Sequence, residues 1–517
     1  MRNRYQRVNS IFYFLGNLLG IFGLILLFPL ILVFLYWGRQ SENFATLYAF
    51  LIPSLISFAG CLLIRRLFKR GPLTLAGSMI MCALAWLLVS AVGALPFVLG
   101  IGSNYLNAYF EAMSGFTTTG ITVYSGLDSM PYSILFWRSL TQWLGGLGIL
   151  SFFLIIIFGG GGKGGFHHIF SAESHKISSD RAAPSLLNTL KILWVIYLSF
   201  TFFSIAILIL EKMPVFDSVC HSLTALSTGG FSPHDASIGY YKSIGHPHYK
   251  LIEYTLTFIM MLGGINFLIH YRVFKRDLKA LWDNIEIRYW WGLLFVFSFV
   301  IIVEHFYKSG VLSGLFGGGG SFDIMVVEEV FRKSIFQVMA ILTTTGFGTE
   351  DIGSEFFGAV AKQLFLVMMV IGGCAGSTGG GFKVLRVAVL NRLLFRELFK
   401  LRVSGRASSP LVIDKQVVPD DESHRIAGLF FGWILLLLIG GAITALFTEL
   451  SAWESFSGMF SALGNIGPCY FSVEEMINLN PVVKITYIFG MLAGRLEILP
   501  VLILFSRRAW RISGKTV

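Results

Sequence analysis

Long apolar runs alternate with short basic segments along the whole chain. Runs on the scale of a membrane span cover Ile11 to Tyr36, Phe44 to Leu67, Leu73 to Leu99, Ser133 to Phe158, Leu186 to Leu210, Leu251 to Val273, Tyr289 to Phe306, Ile426 to Phe447 and Val482 to Phe505. A tenth begins near Ala359, is interrupted by Gly-rich sequence from Gly372 to Gly381, and resumes at Val384. About 20 helical residues cross the ~30 Å apolar core of a bilayer, so the pattern predicts an all-α polytopic membrane protein of ten spans. The first run follows Arg2, Arg4 and Arg7, as a signal peptide would, but it is too long for an h-region and is read as a retained span.

Charge then sets the orientation. If the N-terminus is cytoplasmic, the inside segments are the N-terminus, Arg65 to Arg70, Lys163 to Lys191, Arg272 to Arg288, Arg386 to Arg425 and Arg507 to Lys515, and they hold most of the 40 Lys and Arg residues. The positive-inside rule therefore predicts cytoplasmic N- and C-termini. The net charge of +11 invites a nucleic-acid partner. The basic residues fall between apolar runs, however, which is a pattern of topology, so membrane lipid is the expected surrounding and no nucleic acid is expected.

Composition agrees. Charged residues make up 13% of the 517 and hydrophobic residues 55%, where soluble proteins carry about 25% charged; mean hydropathy is +0.72. So few charges exclude a disordered chain and argue strongly against a soluble enzyme. Cys61, Cys82, Cys220, Cys374 and Cys469 are scattered, with no metal-ligand spacing. His167, His168, Glu173 and His175 lack the HExxH order and are read as part of a solvated linker. No GxSxG, Walker A or Rossmann pattern appears, so neither catalytic residues nor an organic cofactor is expected.

Four shorter segments resemble one another: Leu106 to Thr122, Phe216 to Ser232, Arg332 to Gly348 and Trp453 to Cys469. They align on Gly120, Gly230, Gly346 and Gly467, which lie 110, 116 and 121 residues apart. Each glycine follows an apolar segment of roughly ten residues and has a spanning run on either side. The repeating unit is span, half-helix, loop, span, and a fixed period of this kind decides a fold before any single residue does. Ten helical residues rise ~15 Å, half the membrane. The following loop then lies at membrane depth, which is tolerated only where it lines a polar cavity. Four such loops around one axis, with the negative ends of four half-helices pointing at it, can replace the hydration shell of a monovalent cation. The expected filter is Thr118, Thr119, Gly120, Thr228, Gly229, Gly230, Thr344, Thr345, Gly346, Asn465, Ile466 and Gly467. A competing reading, that each TTTG is only a polar turn, weakens when four loops share a register.

At these residues the chain resembles the Trk/Ktr/HKT superfamily of potassium transporters, and within it the TrkH-type membrane subunit of bacterial Trk systems. The motifs are SGFTTTGIT (Ser114 to Thr122), QWLGGLGI (Gln142 to Ile149), STGGFS (Ser227 to Ser232), TTTGFGTED (Thr343 to Asp351), GGCAGSTGGGFKVLR (Gly372 to Arg386) and AGRLEILPVLIL (Ala493 to Leu504). The resemblance covers nearly the whole chain. It implies one polypeptide folded as a pseudo-fourfold pore, a homodimer of such pores, K⁺ as the transported ion, a bacterial cytoplasmic membrane, and a cytosolic nucleotide-binding regulatory ring (TrkA-like). The implied organisation is two extra N-terminal helices (1–70), pore repeat 1 (71–162), a cytoplasmic linker and repeat 2 (163–275), repeat 3 with an interrupted last helix (276–405) and repeat 4 (406–517). Two departures stand out: Cys469 follows the proline of the fourth loop, and the linker Gly159 to Ser185 lacks the family's proline-rich signature.

Gly at all four filter positions goes, in the superfamily, with potassium preference. Gly372, Gly373, Gly376, Ser377, Thr378, Gly379, Gly380 and Gly381 cannot sustain a helix, since Gly costs ~1 kcal/mol relative to Ala; they are read as a flexible gating loop below the filter. Arg495 lies inside the last span, where an Arg costs about 2.5–3.5 kcal/mol. It needs partners, and the loop's carbonyls are better candidates than Glu497. Arg495 and the loop are expected to form the gate. Lys383 either closes the inner cavity or snorkels to the interface. Acidic residues (Glu111, Asp128, Asp217, Asp323, Glu328, Glu329, Glu350, Asp351, Glu355, Glu474 and Glu475) are expected to form an outer vestibule, with Glu111 and Asp217 the best placed. The leading reading is a channel-like potassium translocator gated by this loop and a cytosolic partner; the alternative is a symporter coupled to H⁺ or Na⁺.

Overall fold

A computed structural model describes residues 2–39, 41–71, 73, 75–148, 186–310, 324–402, 409–414 and 416–506. The protein is mostly helical, as the apolar pattern predicts. A single two-stranded antiparallel hairpin is present among the described residues, pairing Leu411–Ile413 with Gln416–Val418.

Six described helices are long and apolar enough to cross a membrane: Val8–Leu35, Phe44–Leu67, Ala76–Ile101, Asn188–Leu210, Ile285–Lys308 and Asp420–Phe447. A seventh span results if Tyr249–Gly264 and Phe267–Phe274, bent by 102° about Ile265 and Asn266, are counted together. The sequence predicts nine continuous runs and a tenth interrupted one, and part of the run Ser133 to Phe158 lies outside the described residues. The remaining runs are broken, and the breaks have local causes. Pro481–Leu496 stops where Glu497 and Ile498 both take positive φ, 63° and 62°. Ala359–Val370 stops at the Gly-rich sequence, and Val384–Lys400 is a separate helix. Tyr132–Gly146 ends just before residues 149–185, which lie outside the described residues together with the histidine-containing linker.

Four helices end deep inside the molecule: Tyr105–Phe116, Val215–Leu226, Ile324–Leu342 and Ala452–Gly464. Their last turns are buried on every side; Phe110 to Phe116 and Ser455 to Gly464 include long stretches without exposure. Their first turns are capped in different ways. Asn104 accepts from the Leu106 N–H, and Ser451 forms a capping box with Glu454. The third is the longest, at 19 residues, about 28 Å at helical rise.

Candidate ion-conduction site

The four deep helices end in the same way. In each, a residue in the left-handed region follows the last turn: Thr118 (φ 53°), Thr228 (53°), Thr344 (61°) and Asn465 (54°). The N–H of that residue turns back to the carbonyl three residues earlier: Thr118 to Gly115, Thr228 to Ala225, Thr344 to Ile341 and Asn465 to Ala462. The next N–H reaches five residues back: Thr119 to Ser114 and Gly229 to Thr224 (both 2.8 Å), Thr345 to Ala340 (2.8 Å) and Ile466 to Ser461 (3.1 Å). This pair of bonds is a Schellman stop, which normally uses Gly at the left-handed position. Asn tolerates that conformation, but three β-branched threonines there hold strained backbone.

The glycine follows. Gly120, Gly230, Gly346 and Gly467 have φ of 81°, 79°, 80° and 114°. Their contacts run in a circle. A Cβ on Gly120 would strike the Gly229 carbonyl oxygen, one on Gly230 the Thr345 oxygen, one on Gly346 the Ile466 oxygen, and one on Gly467 would lie 3.2 Å from the Thr119 oxygen. Each glycine thus packs on the carbonyl just before the next glycine, and the fourth returns to the first. The structure brings all twelve sequence-selected loop residues together in this closed ring.

Side chains brace the ring from outside. Gln142 donates to the Gly229 carbonyl (2.6 Å) and accepts from the Phe231 N–H (2.9 Å), gripping the second loop on both sides of Gly230. Glu111 is fully buried and pairs with Arg138 (2.8 Å). Its carboxylate also accepts from the Thr122 hydroxyl and the Val123 N–H, both 2.9 Å. Arg138 continues to the Ser232 carbonyl (2.9 Å), tying the first loop to the second. Glu111 is therefore a brace and not a vestibule acid. Asp217 is likewise engaged, accepting from Tyr241 (3.0 Å) and meeting His234 Nε2 (3.1 Å), while His234 Nδ1 meets Asp128. Burial alone would lower the His234 pKa, but its bonds to the two carboxylates outweigh that and raise it above 6.5. Glu328 pairs with Lys250, and Glu329 with Lys242 and Lys333. The acids at this end are thus largely committed to partners, and Asp323 lies outside the described residues. Arg138 was missed in the sequence, although it is a charge inside the apolar run Ser133 to Phe158, the same signal that singled out Arg495.

The Gly-rich loop lies against the ring on the side of the helix ends. It is closed at its base by Gly372 N–H to the Phe382 carbonyl (3.1 Å) and Val384 N–H to the Gly373 carbonyl (3.3 Å). Thr378 bonds the Leu226 and Gly263 carbonyls (2.9 and 3.0 Å) and accepts from the Thr228 hydroxyl (3.2 Å). The Gly380 N–H donates to the Thr344 hydroxyl (2.8 Å), and a Cβ on Gly380 would meet the Asn465 side chain. Ser377 turns inward on its own loop, bonding the Cys374 carbonyl (2.6 Å). Gly376 and Gly381 carry the loop's positive φ values, 74° and 72°. Arg495 donates to the Thr118 hydroxyl (3.0 Å), the Thr378 carbonyl (2.8 Å) and the carbonyls of Gly145 and Gly146. Glu497 pairs with Arg386. Lys383 is buried and bonds the Gly379 and Gly380 carbonyls, stapling the loop to itself. All four left-handed residues are therefore touched by the loop or by Arg495.

The model of the TrkH family, described as cation transport protein, matches residues 52–512. The chain belongs to the TrkH family. It is 32% identical over 518 residues to a Trk system potassium uptake protein TrkH of Vibrio parahaemolyticus, covering 98% of this chain and all of that one. It is 31% identical over 452 residues to TrkH of Salmonella typhimurium, covering 86% and 88%. The crystal structure of the potassium transporter TrkH from Vibrio parahaemolyticus superposes with a TM-score of 0.81 at 28% identity, covering 98% of this chain and 100% of that one. Family and helices together make it a multi-pass membrane protein of a transporter family.

Proposed function

We propose that this TrkH-family chain carries potassium ions across a bacterial cytoplasmic membrane, through a pseudo-fourfold pore whose filter is the ring of Gly120, Gly230, Gly346 and Gly467. The closed circle of glycine–carbonyl contacts carries this reading. Each Schellman stop consumes the N–H preceding the glycine and takes that residue's carbonyl out of the helical ladder, where it can face a cation; the Gly229 carbonyl also accepts from Gln142. The basic segments face the cytoplasm by the positive-inside rule, so the deep helices enter from outside and the Gly-rich loop lies on the cytoplasmic side of the filter.

The loop and Arg495 form the gate in this reading. A guanidinium beside the Thr118 hydroxyl repels an approaching cation, and Thr378 and Gly380 occupy the remaining hydroxyls. Opening requires the loop to leave these partners. The relatives are named as parts of a Trk system, which supports a partner subunit. We assign that role to a cytosolic nucleotide-binding ring docking on the basic face near Arg386 to Arg425, with the pore unit present as a homodimer. Conduction is channel-like, because no Asp, Glu or His belongs to the four filter loops.

The test is ion flux in liposomes holding the purified protein. Potassium and rubidium should move in either direction down their gradients, without added Na⁺ or a pH difference, and Gly120→Ser should reduce discrimination against Na⁺. Flux that requires Na⁺ or a proton gradient, or unchanged selectivity in Gly120→Ser, would overturn the proposal.

A further inference from the structure

We propose that Glu286 is a positioning residue for the Gly-rich loop: its carboxylate fastens the loop in the blocking position and joins it to the cytoplasmic hairpin. The inference rests on the gate reading above. Glu286 stands in the first turn of Ile285–Lys308 and is almost fully buried. It accepts a hydrogen bond from the Ala375 N–H at 2.6 Å and lies beside the Leu385 backbone. Ala375 and Leu385 flank the segment that carries Thr378, Gly379 and Gly380. One side chain therefore holds one end of the part that touches the filter loops and sits beside the other. Leu385 lies in the first turn of Val384–Lys400, where backbone N–H groups lack helical partners and favour negative charge.

The same helix start is held from the cytoplasmic side. Asp414, at the turn of the hairpin Leu411–Val418, accepts from the Ile285 N–H through both oxygens, at 2.9 and 3.1 Å. Glu286 is the next residue. A displacement of the hairpin by a docked partner pulls on Ile285, shifts Glu286 and removes the acceptor from Ala375. A buried carboxyl group stripped of its donor is unfavourable, so hairpin and loop move together. The loop's neighbouring backbone ties run from the Phe267 N–H to the Gly376 carbonyl (3.1 Å) and from the Cys374 N–H to the Gly264 carbonyl (3.0 Å), and neither involves a charged group.

The experiment uses the full chain in liposomes without any regulator. Glu286→Ala should raise rubidium flux about tenfold, the scale of losing one hydrogen bond. Glu286→Gln should raise it less, because the amide still accepts one bond, and Asp414→Ala should raise it slightly. The K⁺/Na⁺ ratio should stay unchanged. Cys374, buried beside Ala375, is a native reporter: maleimide labelling mapped by mass spectrometry should rise there in Glu286→Ala, while buried Cys220 stays protected. Wild-type flux and wild-type Cys374 labelling in the Glu286 variants, with Arg495→Ala still raising flux, would overturn the role of Glu286 and leave the gate standing. If Arg495→Ala also fails to raise flux, the gate reading falls and this inference with it. Equal labelling at Cys374 and Cys220 would mean general loosening and would equally overturn it. Should Glu286→Ala fail to fold, Glu286→Gln and Asp414→Ala carry the same test.

Discussion

A methyl group is the smallest probe of the ring, and the four glycines do not have equal room for it. At Gly346 and Gly230 the added carbon would overlap a carbonyl oxygen most severely, at Gly120 somewhat less, and at Gly467 it would sit 3.2 Å away. All four also hold positive φ, where an L side chain costs roughly 1–2 kcal/mol. Alanine at Gly346 or Gly230 should therefore abolish flux and lower the melting temperature. Gly467→Ala should fold and conduct, with altered selectivity. Potassium and sodium flux with fluorescence-detected melting in detergent checks the order; a Gly467→Ala variant more damaged than Gly346→Ala would contradict the geometry. The fourth loop is the exception in other ways too. Its left-handed residue is Asn465, suited to that backbone, and its amide donates to the Thr119 hydroxyl (2.9 Å) and the Met491 carbonyl (2.9 Å), bonds a threonine could not reproduce.

Elements were legible in the sequence where a local signal existed. The glycines that align at a near-constant interval all have φ near 80° or above, a backbone that only Gly accepts freely. The density of Gly from Gly372 to Gly381 marks the break between Ala359–Val370 and Val384–Lys400. The bend at Ile265 and Asn266 was hidden inside the apolar run Leu251 to Val273, since hydropathy does not register a change of direction. Long-range partners were hidden for a different reason. Gln142 meets Gly229 from 87 residues away, and Glu111 meets Arg138 from 27, and neither pairing leaves a periodic trace. The Glu111–Arg138 pair is wholly buried, so removing one partner strands a charge at a cost of about 3–5 kcal/mol. Arg138→Met should then destabilise the protein and loosen the first two filter loops together, lowering K⁺/Na⁺ discrimination. The double variant Glu111→Leu/Arg138→Met should recover melting temperature without recovering selectivity, because Thr122, Val123 and Ser232 still lack their partners. Full recovery of selectivity would show that the pair only fills space.

On the scale of the molecule, the exposed side chains suit lipid: Leu55, Phe202, Phe299 and Phe431 are 65%, 67%, 56% and 70% exposed, a load of apolar surface that water would not tolerate. Inside this belt the quarters of the proposed pore are tied, at what would be their outer ends, by polar clasps, and the clasp between the first two contains, among the described residues, a titratable ring that meets both. His234 follows the second filter loop; Asp128 belongs to the first quarter and Asp217 to the second deep helix. Its folded pKa lies above 6.5. A raised pKa means that the folded state holds the proton more tightly than the unfolded chain. The stabilisation is then fully present below about pH 6.5 and disappears as pH rises through the folded value. Wild-type protein should accordingly outlast His234→Gln in thermal unfolding at pH 6, and the gap should close by pH 9. Asp217→Asn, which removes one of the two carboxylates, should shrink the gap at pH 6 and move its closure to lower pH. A gap that widens from pH 6 to pH 9 would mean that the ring is held neutral, as a hydrogen-bonded spacer, and that the outer ends of the first two quarters are joined by packing and not by charge.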